Sequence, residues 1–531
     1  MDGMEVKRRQ AEGHNQSPIV RASSALSFAF CALRFDVPVR ALPSAFCLLL
    51  TASCLLLPSC MVGPTYKRPP APASPTYKEL PPANSPEASE WAPAQPNDAL
   101  ARGKWWEIYG DPELNALEEQ VSITNQNLIA AEAQFREARF AVRIARSSLF
   151  PTVSVSPTLV NSRTSLSAVS QSQSFSRTTY DLPVNVSWEA DTWGSVRRSI
   201  RQSAEAAQAS AAQLENARLS YQAELAADYF ELRGADSEKE LLSTTVKSYE
   251  DYLKLTQDRF NSGVASGSDV AQAETQLQTA RAQLIDYDVA RAQYEHAIAV
   301  LTGKPPAEVS ISYRGIKISP PPVPVGVPST LLERRPDIAA AERQMAGANE
   351  QIGINKAAFY PAIGLATQGA PIGLESSSFL HWISWPSRFW SIGPGLDETV
   401  YDAGKRRATL NQSIAAYDAT VANYRQIVLT AFQQVEDNLA ALRVLEREAQ
   451  AEEDAVKAAQ SALDISTYQY KAGTVNYLTV ITEQAILLTD QIQAVSILTR
   501  RMSASVLLIE ALGGGWDTSK LPTIQAVSHG K

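Results

Sequence analysis

Residues 184–304 and 395–521 contain no proline, although 31 prolines are spread over the rest of this 531-residue chain. Excluding the strongest helix breaker from two such stretches leaves room for helices far longer than a globular domain holds. From Leu410 the apolar positions run Ile414, Tyr417, Val421, Tyr424, Val428, Ala431, Val435, Leu439 and Leu442. Steps of three and four mark a coiled-coil seam. A helix from about 405 to 469 would be a rod of ~100 Å at ~1.5 Å per residue. In the first stretch Ala207, Ala211, Ala212 and Ala217 give a small-residue surface suited to close helix packing.

The two stretches belong to a duplication with a constant offset of 210 residues. Ala131-Glu132 through Phe150-Pro151 aligns with Ala341-Glu342 through Tyr360-Pro361, and Gly194, Gly263 and Gly303 align with Gly404, Gly473 and Gly513. Each unit reads helix, strand, loop, strand, long helix, turn, helix. The turns Asn261-Ser262-Gly263 and Lys471-Ala472-Gly473 end the rods, with Gly as the left-handed cap and Ser268 or Asn476 as caps of the returning helices. The strands alternate: Val184, Val186 and Trp188 against Asn185, Ser187 and Glu189, then Val153 and Val155, then Ile363 and Leu365. One face is apolar and the other suits water. Asn161–Thr179 reads as an exposed serine-rich loop, and its counterpart near 371–388 carries Phe379, Trp382 and Trp385 as an interfacial girdle. Four strands cannot close a barrel, and lipid does not tolerate open edges, so a membrane reading requires several copies of the chain.

Composition narrows the function. The formal charge is −8, and residues 60–531 sum to −10 because the first 59 residues hold six Lys/Arg against four Asp/Glu. No basic stripe exists for a nucleic-acid partner. The absence of any apolar run of 18 or more, with a mean hydropathy of −0.17, argues against a bundle of membrane helices. The cysteines are Cys31, Cys47, Cys54 and Cys60, so the body of the chain has no disulfide, Cys-bound metal or Cys nucleophile. After Cys60 the histidines are His296, His381 and His529, too scattered for a metal site or a triad. We expect no enzyme and no cofactor. Asp181, Glu189 and Asp191 share the polar parity of one strand, which suggests an acidic lumen.

The apolar run Ala45–Leu57 has the length of a signal-peptide core, and Leu57-Pro58-Ser59-Cys60 resembles a bacterial lipobox. On that reading residues 1–59 are removed, Cys60 carries acyl chains, and Met61 after it favours sorting to the outer membrane. Residues 1–36 are too long an addition for a signal peptide, so we expect the translation start nearer Val37 or Val39. Residues 60–104 then form a lipid anchor and Pro-rich tether, followed by a first repeat at 105–304, a Pro-rich linker at 305–330, a second repeat at 331–512 and a tail at 513–531.

Four motifs resemble the TolC-like outer-membrane efflux factors, in particular their OprM- and NodT-like lipoprotein branch. They are Cys60–Pro69, Trp105-Trp106 with Asp111-Pro112-Glu113-Leu114, Leu331–Ile338 and Ala511–Trp516, in order on the duplicated chain. The resemblance implies a mainly α fold with a membrane β-barrel. Three chains would give four strands each, continued by a helical tunnel across the periplasm. It implies a passive, lipid-anchored outer-membrane exit duct for drugs or other small molecules, docked to a periplasmic adaptor and an inner-membrane pump of the resistance–nodulation–division type. The adaptor-docking tips carry over to Arg259, Phe260, Gly263, Ser268, Asp269 and Val270, and to Tyr470, Gly473, Asn476 and Tyr477. At the aperture Leu478 matches the family leucine, while Thr482 and Ala485 replace its aspartate and arginine. A ring of Leu478, or of the adjacent Glu483, is the expected constriction. The other class consistent with this sequence is a coiled-coil envelope lipoprotein without a pore.

Two further motifs read as structure. Glu333–Asp337 is a helix start, with Pro336 in the first turn and Asp337 favoured by the dipole. Gly404-Lys405-Arg406-Arg407 and Gly303-Lys304-Pro305 lack the rest of a phosphate loop.

Overall fold

The computed structural model describes residues 61–72, 74, 76–79, 104–163, 176–322, 331–366, 372–391 and 393–529. The signal-like segment and Cys60 lie outside them. The chain opens with a 3₁₀ turn, Trp105–Tyr109, and then α1 (Pro112–Thr124) and α2 (Gln126–Ser147). Three strands follow, β1 (Thr152–Val155), β2 (Thr158–Arg163) and β3 (Ser176–Ala190), and then the rods α3 (Ser195–Asn261) and α4 (Gly267–Leu301). The second half holds α5 (Pro336–Ala357), β4 (Ala362–Ala366), β5 (Ile372–Ser376), β6 (Arg388–Phe389) and β7 (Gly393–Asp397). The rods α6 (Lys405–Lys471) and α7 (Tyr477–Ala511) and a short α8 (Ile524–His529) complete it.

The duplication is exact in the long helices. The rods α3 and α6 have 67 residues each, α4 and α7 have 35, and α2 and α5 have 22, every pair offset by 210. Asp337 starts α5 as expected, accepting from the Ile338 N–H at 2.8 Å while holding Arg335. Gly303 and Gly513 end the returning rods at φ +70° and +95°. A Cβ there would lie 2.2 Å from the Thr124 carbonyl oxygen and 2.1 Å from that of Arg334, so no other residue fits at either junction.

In the sheet β3 is central. It pairs antiparallel with β1 and β2 on one side and with β4 and β5 on the other, while β7 and β6 lie outside β4 and β5. Seven segments therefore trace four strands. The breaks follow proline: Pro183 in β3 has no N–H to give where β1 and β2 part, and Pro394 sits on edge strand β7. The stretch near 371–388 is less of a loop than expected, because β5 and β6 extend the sheet through both its ends.

The core lies where the rods cross α1. Trp105, Trp106, Leu114, Tyr229, Phe230, Leu439, Met502 and Val506 form one buried cluster. Of the seam residues, Tyr424, Val428, Ala431, Val435 and Leu439 are buried, whereas Ile414 remains open in a single chain. By length and composition α7 alone among the described helices reaches the apolarity of a membrane span. Its Ile497, Met502 and Val506 are buried, however, marking it as a core rod.

Two charged networks pin the irregular segments to the rods. Asp236, wholly buried, receives Arg233 at 3.2 Å, Arg291 at 2.7 Å and the Arg314 backbone N–H at 3.0 Å, and Arg233 also reaches Glu113. The second network revises the expected free tether. Val62 N–H donates to the Trp193 carbonyl, and buried Arg198 holds the Val62 and Pro64 carbonyls and Glu350. Tyr66 donates to Glu342, and the Lys78 and Glu79 N–H groups donate to Glu436. The described residues between 61 and 79 are thus a strap along α5 and α6, while 80–103 of the expected tether lie outside the described residues. The tail is also folded: Val527 of α8 is buried against Val142, Ala204 and Ala207.

Removing one partner of a buried ion pair costs ~3–5 kcal/mol, because the other charge is stranded. Asp236→Ala removes the buried acid shared by Arg233 and Arg291, leaving them only the more exposed Glu113 and Glu295, and should lower the apparent melting temperature of the detergent-solubilised protein, followed by circular dichroism. An unchanged melt would show that the network does not hold the linker.

Candidate membrane face and helix tips

Register decides what each face of the sheet presents. Val153 and Val155 lie opposite Val186 and Val184, Leu182 opposite Leu374, Val184 opposite Ile372, and Trp188 opposite Leu365, itself opposite Pro394. All point one way. The other face carries Ser154, Asn185, Asp181 and Glu375 as a cross-strand pair, and Glu189 opposite Gly364. Inside a folded domain the apolar face would be covered; here Val153 is 60% exposed, Leu159 65% and Leu396 70%. A bare apolar face of this extent marks an interaction surface.

Aromatic rings mark two levels on it. Tyr180 meets Phe379 and Trp382 at 5.7 and 5.8 Å. At the helix end Trp193 stacks on Tyr360 at 4.8 Å and donates to the Pro361 carbonyl. The ten steps from Tyr180 to Ala190 would span ~33 Å of strand, or ~25 Å of height at a tilt of ~40°. That height is the apolar band of a membrane barrel. Both outer edges, β1/β2 and β6/β7, lack a neighbouring strand among the described residues.

The expected acidic strand needs correction at one residue. Asp191 lies beyond β3, where its carboxylate caps α3 by accepting the Val196 and Arg197 N–H groups and pairs with the Arg197 guanidinium at 2.8 Å. Asp181 and Glu189 stay on the polar face, joined there by Glu375. Missed from the sequence was a second acidic set on α3, namely Glu224, Asp228, Glu231 and Glu238. Their spacing of four, three and seven puts them on one helix face, and this was the available signal. Burial first, then repulsion from Glu224 and Glu231, pushes Asp228 up to about 6. Burial pushes Glu238 up to about 7, with the Tyr287 hydrogen bond opposing and Glu231 adding.

The far ends of the rods form two equivalent turns. Gly263 and Gly473 take φ +75° and +77°, as the left-handed cap requires. The cap of α4 is Ser266 rather than Ser268: its hydroxyl accepts from the Asp269 N–H at 3.3 Å, while the Asp269 carboxylate accepts from the Ser266 N–H at 3.1 Å. Ser266 is the repeat partner of Asn476, which caps α7 through the Thr479 N–H at 3.2 Å. Asp269 therefore closes a capping box, and Ser268 hydrogen-bonds to Ser266 beside it. Val270 is half-buried, whereas Phe260 is 47% exposed.

Tyr470 and Tyr477, at 3% and 1% exposure, pack on each other and on Ala273 and Val480. The Arg259 guanidinium lies 4.6 Å from the Tyr470 ring centre and donates to the Lys471 carbonyl, joining the two turns. These three side chains hold the turns together, leaving Phe260 and the Gly turns as the outward surface. Along α7, Leu478, Thr482, Ala485 and Thr489 form an exposed stripe. The Thr482 and Thr489 hydroxyls are turned onto their own helix, donating to the Leu478 and Ala485 carbonyls. Glu483 lies off that stripe and is half-buried. Among the described residues no cluster of His, Cys, Asp and Glu is arranged to hold a metal.

Residues 117–304 and 327–514 match the Outer membrane efflux protein family. The chain is 31% identical over 469 residues to a probable efflux pump outer membrane protein, TtgC, of Pseudomonas putida, covering 88% of this chain and 95% of that protein. It is 28% identical over 432 residues to the pyoverdine export outer membrane protein OpmQ of Pseudomonas aeruginosa, covering 80% and 90%. Among solved structures it is similar to the outer-membrane channel OprN, with TM-score 0.78 and 27% identity over 86% of this chain and all of that one. The Campylobacter jejuni CmeC channel shares the fold at TM-score 0.79 and 22% identity, over 87% and 96%.

An acid whose pKa is higher in the folded than in the unfolded chain binds more protons when folded between the two values. The stability contributed by Asp228 and Glu238 is full below the unfolded carboxylate range of about 4. It is lost as pH rises through about 6 and about 7. The apparent melting temperature should therefore rise on acidification from about pH 8 to about pH 5. Asp228→Asn with Glu238→Gln should flatten that slope by stabilising the protein at the alkaline end. A slope unchanged in the double variant would remove these acids as its source.

Proposed function

We propose one function from one premise: this chain belongs to the outer membrane efflux protein family. It is the outer-membrane channel of a tripartite efflux system, extending from the outer membrane of a Gram-negative cell into the periplasm. The observation that carries this reading beyond similarity is the four-stranded sheet with one bare apolar face, one polar face and two open edges. In water such a sheet aggregates. In lipid it is stable only as part of a closed barrel, with the polar face turned to an aqueous lumen.

Closure is supplied by identical copies. We read the assembly as a homotrimer in which three sheets make one barrel and three sets of rods continue it as a tunnel. The duct is passive, without catalytic chemistry or cofactor, and an inner-membrane pump of the resistance–nodulation–division type drives drugs or other small molecules into it. A periplasmic adaptor docks at the exposed parts of the tips, Phe260, Gly263 and Gly473. Cys60 is acylated: Met61 next to it packs against Gly194, where the strands meet the rods, so the lipid would enter the bilayer at the base of the barrel.

Leu478 is the constriction in this reading. It is 53% exposed and shares its stripe with Thr482 and Ala485, so three-fold symmetry narrows the tunnel with apolar rather than charged side chains. A ring of leucines closes a water path by dewetting. Leu478→Ser should raise single-channel conductance severalfold, whereas Glu483→Gln should leave it nearly unchanged. The reverse ranking would move the gate to Glu483.

Native mass of the protein extracted in mild detergent, with the intact mass of the dissociated chain, tests the assembly. A three-chain complex whose chains begin at acylated Cys60 is expected. A monomer without conductance in planar bilayers would return the chain to the reading of a coiled-coil spacer.

A further inference from the structure

The segment between β5 and β6 folds back over the apolar face of the sheet. Leu182, Val184, Ile372 and Leu374 form the floor of a cleft, Trp385 and Trp390 its walls, and its volume is about 700 Å³. The two aromatics are 67% and 75% exposed, so nothing among the described residues fills the space above them. Arg388 stands at the mouth. It lies opposite Leu374, which lies opposite Leu182, so its side chain rises from the same apolar face.

An arginine on a lipid-facing strand costs ~2–4 kcal/mol at the bilayer midplane and ~0–1 near the interface. Leu182 is two residues from Tyr180, ~7 Å along the strand. The guanidinium therefore reaches the aromatic level by snorkelling. That level is the end of the sheet away from the rods, which is the outer leaflet. Among the described residues Arg388 meets no carboxylate, and its contact is the Trp385 ring, 3.0 Å from the guanidinium carbon. Residues 377–391 contain Arg388 and His381 and no acidic residue. The charge thus lacks an internal counter-ion at the depth where lipid phosphates lie, directly above an apolar slot.

We propose that this cleft is a lipid-binding site, taking one acyl chain of a phosphorylated outer-leaflet lipid whose phosphate pairs with Arg388. The inference rests on the outer-membrane channel reading. A neighbouring copy of the chain is a poorer occupant, because it would pair along the β6/β7 edge, whereas the cleft opens on the face of the sheet.

The test uses the full-length protein in detergent, titrated with diphosphorylated lipid A and read by native mass spectrometry. Wild type should hold one lipid A per chain. Arg388→Gln should weaken binding about ten-fold, the scale of a lost charge-assisted contact, and Arg388→Lys should lie between. Leu374→Trp, which fills the cleft from its floor, should lose the lipid with Arg388 intact. Dephosphorylated lipid A should bind wild type as weakly as lipid A binds Arg388→Gln. Equal binding by wild type and Arg388→Gln, equal binding of the two lipids, or no binding by wild type would overturn the site. Dissociation of the oligomer in Arg388→Gln would do so too, assigning the cleft to the contact between copies. Planar-bilayer conductance of the same samples separates the two readings. Conductance in wild type with no lipid selectivity fails the cleft alone, whereas no conductance in wild type fails the channel.

Discussion

The two edges of the sheet, which meet no further strand among the described residues, constrain everything else in this protein. Each N–H or C=O left open in hydrocarbon costs several kcal/mol. A sheet with an apolar outer face therefore has two options, to stay out of lipid with that face exposed or to close with other copies. The proposed assembly takes the second, joining the β1/β2 edge of one copy to the β6/β7 edge of the next. In the proposed assembly a barrel shared between chains would fix the position of every strand, and the strands in turn where the rods begin.

The junctions at Gly194 and Gly404 transmit that position. Just before them, Asp191 and Asp402 each hold an arginine and cap the first turn of a 67-residue rod. The strap at residues 61–79 crosses the same level through Arg198 and Glu350 and then follows α5 and α6. The start of the strap, the end of the sheet and the origin of the rods are thereby held at one height. Further down, Asp236 and its arginines bind the linker between the repeats to the middle of α3 and α4. The rods below that belt are held by apolar seams and by the paired tips, where Arg259 spans from one turn to the other. A structure that is tied above and joined below by a few contacts around two glycine turns is suited to movement at its tips.

Much of this was legible in the chain itself. Proline-free stretches and a three–four apolar period determined the rods, and because duplication copies both, every long helix recurs at the same offset. Strand alternation determined which face is apolar, since side chains on a strand have a period of two whatever the strand packs against. Leu478, Thr482 and Ala485 also fell on one stripe, as helical spacing requires. The sequence alone could not decide which polar residue a local backbone would use. Ser266 and Ser268 are chemically equivalent candidates for a cap, and only the φ and ψ of the turn choose Ser266. Asp191 has the parity of a strand residue, yet the strand ends one residue earlier and the helix takes its carboxylate. Tyr470 and Tyr477 look like exposed tip aromatics until the second rod pair is brought against the first. The strap, the buried Asp236 network and the cleft beneath Arg388 join residues far apart in the chain, and such pairings depend on tertiary proximity rather than on local period. Sequence thus determined what is periodic and local, the rods, the alternating faces and the duplication; the folded chain alone decided which charges are buried, which caps are used and where an unpaired arginine meets an apolar slot.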